Sequence, residues 1–187
     1  MPIVPDDKDW TWVLDKPCGE CGFDASLAIF TEVPRLVRKN VQGWLRVFEG
    51  RSADELRTRP VVSTGGATDE RWSPLEYAAH TRDVYRIMHG RYNLMLVLDE
   101  PHFENWDQDV TAESQHYGKQ DPEVVQRQLI RAGTAFASAV EDTPISDVAR
   151  RGIRSNGSEF TLRTISIYAL HDPVHHLWDV TGEQFSA

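Results

Sequence analysis

The chemistry this sequence can do is concentrated in the segment Tyr168-Ala-Leu-His-Asp-Pro-Val-His-His-Leu-Trp-Asp179, where His171 and His175 stand four residues apart. On an α-helix a four-residue step turns about 400°, which sets the two imidazoles about 40° apart and one turn along the axis. Two neutral imidazoles on one face can chelate a divalent ion, but they leave it under-coordinated. A third ligand has to come from another element, and His80, within Trp72-Ser-Pro-Leu-Glu-Tyr-Ala-Ala-His80, is the candidate. Three protein nitrogens with an open fourth position make a catalytic layout, because water or substrate must still reach the metal. The competing expectation is plain: a single histidine on a helix is usually packed or solvated, and histidine pairs also occur on solvated faces.

The neighbours of these histidines have assignable roles. His176 points about 100° away from His175 and is expected outside the ligand set, behind the ligands or on the surface. Asp179, one turn beyond His175, can orient that ring. Asp83 can do the same for His80 or serve as a fourth ligand. Glu76 is the carboxylate best placed to act as a base, although a helix-capping role competes for it. Pro173 stands between the paired histidines and predicts a bend, either aiming the imidazoles or merely tolerated. Arg82, Arg86, Arg154 and Arg163 can hold a substrate carboxylate or be solvated charges. Tyr77, Trp106, Tyr168 and Trp178 can line a pocket or pack in the core.

The only cysteines are Cys18 and Cys21, in Pro17-Cys-Gly-Glu-Cys-Gly22. Two cysteines make no disulfide framework. The pair is a tight turn with free thiols, a metal knuckle completed by His or Asp/Glu, or a redox pair. It can also fold back to bind its own metal, or act as an internal thiol near the histidines.

The elements that must position these groups follow from local signals. Residues 1–23 predict an irregular arm that packs its tryptophans on the body. Asp24 as N-cap and Gly50 as stop frame a first helix, with a kink or break at Pro34. Residues 50–72 predict a loop with a helical turn near Ser52–Arg57. Ser73-Pro74-Leu75-Glu76 combines an N-cap serine, a first-turn proline and a capping-box glutamate, opening a helix to about Leu98. Residues 99–120 form a long connection of the kind that shapes a site. Asp121-Pro122-Glu123 opens a third helix to about Glu141. Asn156-Gly157 between Ile153 and Phe160 predicts a small β-hairpin. Thr161 caps a last helix that Gly182 ends. Four helices of about 20–26 residues without strand repeats make an all-α four-helix bundle over residues 24–187, preceded by the arm.

Composition narrows the partners. At 187 residues the chain supports one substantial core. A formal charge of -9 argues against the phosphate contacts of nucleic-acid binding and against an anionic membrane surface. No run approaches the roughly 18 apolar residues of a membrane span, and the acidic N-terminus lacks a signal core, so a cytoplasmic protein is expected. A small molecule, a metal and a second copy of the chain, as a homodimer, are the expected partners.

Trp72-Ser-Pro-Leu-Glu76 leading to His80, then His171-x-x-x-His175 near the C-terminus, resembles the DinB/YfiT-like superfamily, which includes mycothiol-dependent maleylpyruvate isomerases. The likeness covers roughly residues 25–182. The opening Trp-Val-Leu-Asp and Cys-x-x-Cys-Gly-Phe-Asp looks like an actinobacterial subgroup. The resemblance implies an antiparallel four-helix bundle and a zinc or nickel ion on His80, His171 and His175. It also implies a low-molecular-weight thiol such as mycothiol or bacillithiol as nucleophile. A metal-dependent S-transferase or detoxifying enzyme follows from it. The alternatives are a metal-dependent hydrolase, a non-catalytic metal-binding or stress-related bundle, and an interaction protein with vestigial histidines.

Overall fold

The computed structural model describes residues 10–64 and 67–186, with residues 62–64 and 67–70 as backbone only. In chain order the helices are α1 (Val33–Phe48), α2 (Ala53–Arg57), α3 (Pro74–Val97), α4 (Gln108–Ser114), α5 (Pro122–Glu141) and α6 (Leu162–Thr181). The strands are β1 (Val61–Thr64), β2 (Ala67–Glu70), β3 (His102–Phe103), β4 (Arg151–Arg154) and β5 (Glu159–Thr161). The first nine residues of the expected arm lie outside the described residues. Among the described residues no helix is long and apolar enough to cross a membrane.

The four long helices form the bundle. α1 and α3 each pack against both α5 and α6, so the order around the bundle is α1, α5, α3, α6. Chain directions follow from cross-helix contacts. Tyr77 meets His176 and His80 meets Asp172, so α3 and α6 are antiparallel. Arg38 pairs with Glu141 while Val41 abuts Gly133, so α1 and α5 are antiparallel as well. Arg82 reaches Gln128 and Tyr92 reaches Thr143, which sets α3 and α5 running the same way. Parallel neighbours need a crossover rather than a tight turn, and residues 98–121 supply it.

The sequence signals for α3, α5 and α6 match their observed starts. Ser73 and Glu76 form a reciprocal capping box, Asp121 caps Val124, and Thr161 caps Thr164. Gly182 ends α6 in the left-handed region at φ 72°. The first helix differs from expectation. Asp24 caps only a short 3-10 turn, Ala25–Leu27, and α1 starts at Val33 with Pro34 in its first turn. A proline is tolerated at a helix start, where its missing N–H has no partner to lose, and not in an interior. The break at Pro34 therefore became the start. The hairpin at Asn156-Gly157 forms as β4 and β5, with β3 added in parallel along β4. β1 and β2 make a second hairpin where a plain loop was expected.

Close packing of α1 on α5 depends on Gly133, where a β-carbon would overlap Val41 Cγ2. Gly133→Ala gains about 1 kcal/mol of helix propensity, but overpacking a filled core costs about 1–3 kcal/mol. A net destabilisation of about 1 kcal/mol is expected, read as a lower urea midpoint.

Candidate functional site

α6 carries two i,i+4 pairs, His171/His175 and Asp172/His176, offset by one residue and so by about 100°. Each pair meets a different partner. The ligand atoms of His80, Asp172 and His176 all lie within 4.8 Å of one another, and so do those of Cys18, Cys21, His171 and His175. Either group could hold a metal ion. The structure thus does not gather His80, His171 and His175 into one group. It gives His80 the other pair of α6, and His171/His175 the two cysteines.

The first group is built on Asp172. His80 Nε2 lies 3.2 Å from Asp172 Oδ1, and His176 Nε2 lies 2.8 Å from the same oxygen. Burial acts to raise the Asp172 carboxyl, but His80 and His176 outweigh it and hold the group well below the usual carboxylate range. Burial acts to lower His176, yet Asp172 and Asp179 carry it up to about 9. Asp179 Oδ2 sits 3.0 Å from His176 Nδ1, and its other oxygen, Oδ1, is paired with Arg71 at 3.3 Å. Asp179 therefore orients His176 more closely than His175, from which it is 4.0 Å away. Around this group Trp106 stacks on His80 at 5.5 Å, Trp72 meets its edge, and Tyr77 packs on His176. His80 is fully buried and its Nδ1 has no hydrogen-bond partner among the described residues.

Asp172 and His176 line a cavity of about 890 Å³, whose wall also includes His171 and His175. Tyr77, Trp106 and Tyr168 line it. Of the four arginines singled out from sequence, Arg154 alone lines it, and its Nε is buried with no hydrogen-bond partner among the described residues. Arg91 stands on the same wall, its pKa lowered first by burial and then by the charge of Arg154.

The carboxylates proposed from sequence as base or extra ligand are engaged elsewhere. Glu76 caps α3 through Ser73 and is gripped by Arg59 at 2.6 and 2.9 Å. Asp83 lies in a buried cluster with Arg82 at 2.7 Å, Arg86 at 3.0 Å and the Tyr117 hydroxyl at 2.7 Å. Burial acts to raise Asp83, and these partners overrule it and hold it below its ordinary value.

The second group lies where the arm folds back onto α6. Cys18 Sγ is 3.7 Å from His175 Nδ1, while Glu20 Oε2 is 3.6 Å from His175 Nε2. Burial pushes the Cys21 thiol up to about 12 and the His171 imidazole down to about 4. Trp10 packs over both histidines, and Phe23 meets His171 edge-on.

Sequence reasoning did not weigh Asp172, and it placed His176 outside the ligand set, whereas the structure groups both with His80. The signal was present, since Asp-x-x-x-His has the same helical spacing as His-x-x-x-His and carboxylates are ordinary metal ligands. Spacing alone does not say which of two adjacent stripes faces α3.

Fold and site together define a helical bundle whose facing helices α3 and α6 bring together side chains that could hold a metal ion. The DinB superfamily model matches residues 37–180, and the chain belongs to that superfamily. Among solved structures it is similar to YfiT from Bacillus subtilis, described as a probable metal-dependent hydrolase with an unusual four-helix bundle topology. That match has 15% identity and a TM-score of 0.69, covering 83% of this chain and 88% of YfiT. It is also similar to the mycothiol-dependent maleylpyruvate isomerase, at 11% identity and a TM-score of 0.58, covering 81% of this chain and 59% of that one. No curated protein matches it in sequence.

Proposed function

We propose that the protein is a metal-dependent enzyme acting on a small molecule, with His80, Asp172 and His176 as the protein ligands of its metal. The observation that carries this is a two-histidine, one-carboxylate group that fits a divalent ion, with Asp172 and His176 lining a cavity of about 890 Å³. Cavities of about 300–1,000 Å³ suit small-molecule ligands. The donor set fits zinc or nickel, and such an ion supplies Lewis acidity that lowers the pKa of a water or thiol beside it.

The chain's own residues do the rest. Asp179, fixed by Arg71, accepts a hydrogen bond from His176 Nδ1 and sets the ring's orientation and tautomer. Trp106 and Trp72 enclose His80 and keep water from its ring. Arg154, whose Nε–H has no partner among the described residues, offers it to an anionic group on the substrate, a carboxylate being the simplest fit. Transfer to or from a low-molecular-weight thiol such as mycothiol or bacillithiol is the favoured reaction, supported by the fold shared with a mycothiol-dependent isomerase. Hydrolysis is the second reading, supported by the likeness to YfiT.

Cobalt substitution tests this directly. Adding a thiol to the cobalt protein should produce a new sulfur-to-cobalt charge-transfer band, absent from His80→Ala. A spectrum unmoved by thiols removes the thiol reading and leaves hydrolysis. A His80→Ala protein that binds metal as wild type does removes the site.

A further inference from the structure

The CxxC arm and the first histidine pair of α6 are not used by the proposed reaction, and their geometry has its own meaning. Residues 18–23 form a tight knuckle. The Cys18 N–H donates to Phe23 O at 2.8 Å and the Gly22 N–H to Cys18 O at 3.0 Å. Gly22 takes a left-handed φ of 75°, and a β-carbon there would lie 2.8 Å from Gln184 Oε1. The C-terminal tail holds this knuckle from outside, through Phe185 N–H to Cys21 O at 2.8 Å and Gln184 Nε2 to Glu20 O at 2.7 Å. Both thiols are thereby presented to one face of α6.

We infer that Cys18, Cys21, His171 and His175 form a second, closed metal site, a tetrahedral zinc centre that fastens the N-terminal arm to α6. The four ligand atoms lie within 4.8 Å of one another. Zinc–sulfur and zinc–nitrogen bonds of about 2.3 and 2.0–2.1 Å at tetrahedral angles set S and N about 3.6 Å apart. The Cys18 Sγ to His175 Nδ1 distance is 3.7 Å. The sequence spacing, Cys-x-x-Cys and His-x-x-x-His, is that of two-cysteine, two-histidine zinc sites.

Charge and solvation agree with a structural role. Two thiolates cancel the double charge of zinc, so the centre is neutral and can be buried. Cys18, Cys21 and His171 are at most 3% exposed, and His171 Nε2 is buried with no hydrogen-bond partner among the described residues. Glu20 stands behind His175, the carboxylate partner that metal-bound imidazoles commonly have. Four protein ligands leave no position for substrate, in contrast to the three-ligand group one residue along the helix. The arm nevertheless matters to that group, because Trp10 and Glu20 form part of the cavity wall.

The test uses the full chain, loaded with zinc under reducing conditions, with metal analysis and zinc X-ray absorption. Wild type should hold two equivalents. His80→Ala should hold one, with a shell of two sulfur and two nitrogen atoms. Cys18→Ser/Cys21→Ser should lose the sulfur shell and become open to proteolysis in the arm. If that variant does not fold, the absorption spectrum of His80→Ala still decides. A His80→Ala shell without sulfur, or Cys18 and Cys21 joined as a disulfide with no zinc, overturns the inference. Failure of the open site alone looks different: one equivalent in wild type, with its sulfur shell intact and His80→Ala unchanged.

Discussion

Asp172→Asn is expected to strip the open group of its metal while leaving the Cys18/Cys21 group loaded. Asp172 is the only anion among the three proposed ligands, and its Oδ1 lies between His80 and His176 at 3.2 and 2.8 Å. Asparagine keeps the shape but removes the charge that attracts the cation. The loss should exceed the roughly 10–100-fold in affinity typical of changing a group behind a ligand, which is the effect expected for Asp179→Asn. Chelator competition measures both. A triad of His80, His171 and His175 would give the opposite pattern, with His171→Ala severe and Asp172→Asn mild.

The same substitution has a pH signature in the metal-free protein. His176 is raised from 6.5 to about 9 in the folded state by Asp172 and Asp179. Between these values the native state binds more protons than the unfolded state, so stability falls as pH rises. The contribution is fully present below pH 6.5 and lost through about pH 9. Asp172→Asn should flatten this alkaline decline in denaturant melts, and the His176 titration followed by NMR should move down.

Asp83→Asn should be the most damaging change away from the metal groups. Arg82, only 2% exposed, would keep its charge and lose its bidentate partner. Breaking a buried pair on one side costs about 3–5 kcal/mol. At about 2–4 °C per kcal/mol for a chain of this size, Tm should drop by roughly 6–20 °C. Because the folded Asp83 carboxyl is held below its ordinary value, its contribution is present above that value and lost as pH falls through the depressed one. Wild type should therefore lose stability in acid more steeply than the variant. Metal content should stay unchanged, which separates Asp83's structural place from a ligand's.

Much of the scaffold was legible because its signals are local. Ser73-Pro-x-Glu, Asp121-Pro and Thr161 each satisfy orphan N–H groups within a few residues, so no distant contact is needed to read them. Asn156-Gly157 marked its hairpin for the same reason. α1 was ambiguous because Asp24 and Pro34 are both helix starters, and packing chose the second. The site was legible as residue types and not as groupings. Both stripes of α6 have four-residue spacing, and which one meets α3 depends on a rotation of about 100° fixed by packing. Asn40, bonded to the Pro173 carbonyl at 2.9 Å and to Tyr85, is part of that packing. His80 does face α6, where it lies beside Asp172 and His176 rather than His171 and His175.

The fold-back of the arm also sets an order of events during synthesis. Cys18 and His175 are 157 positions apart in the chain and in contact in the structure. At about 5–20 residues per second, a ribosome needs roughly 8–30 s to make what lies between them. Throughout that interval the two thiols emerge without the helix that covers them. The thiols are made well before the helix that buries them, so a growing chain exposes cysteines that the folded protein covers.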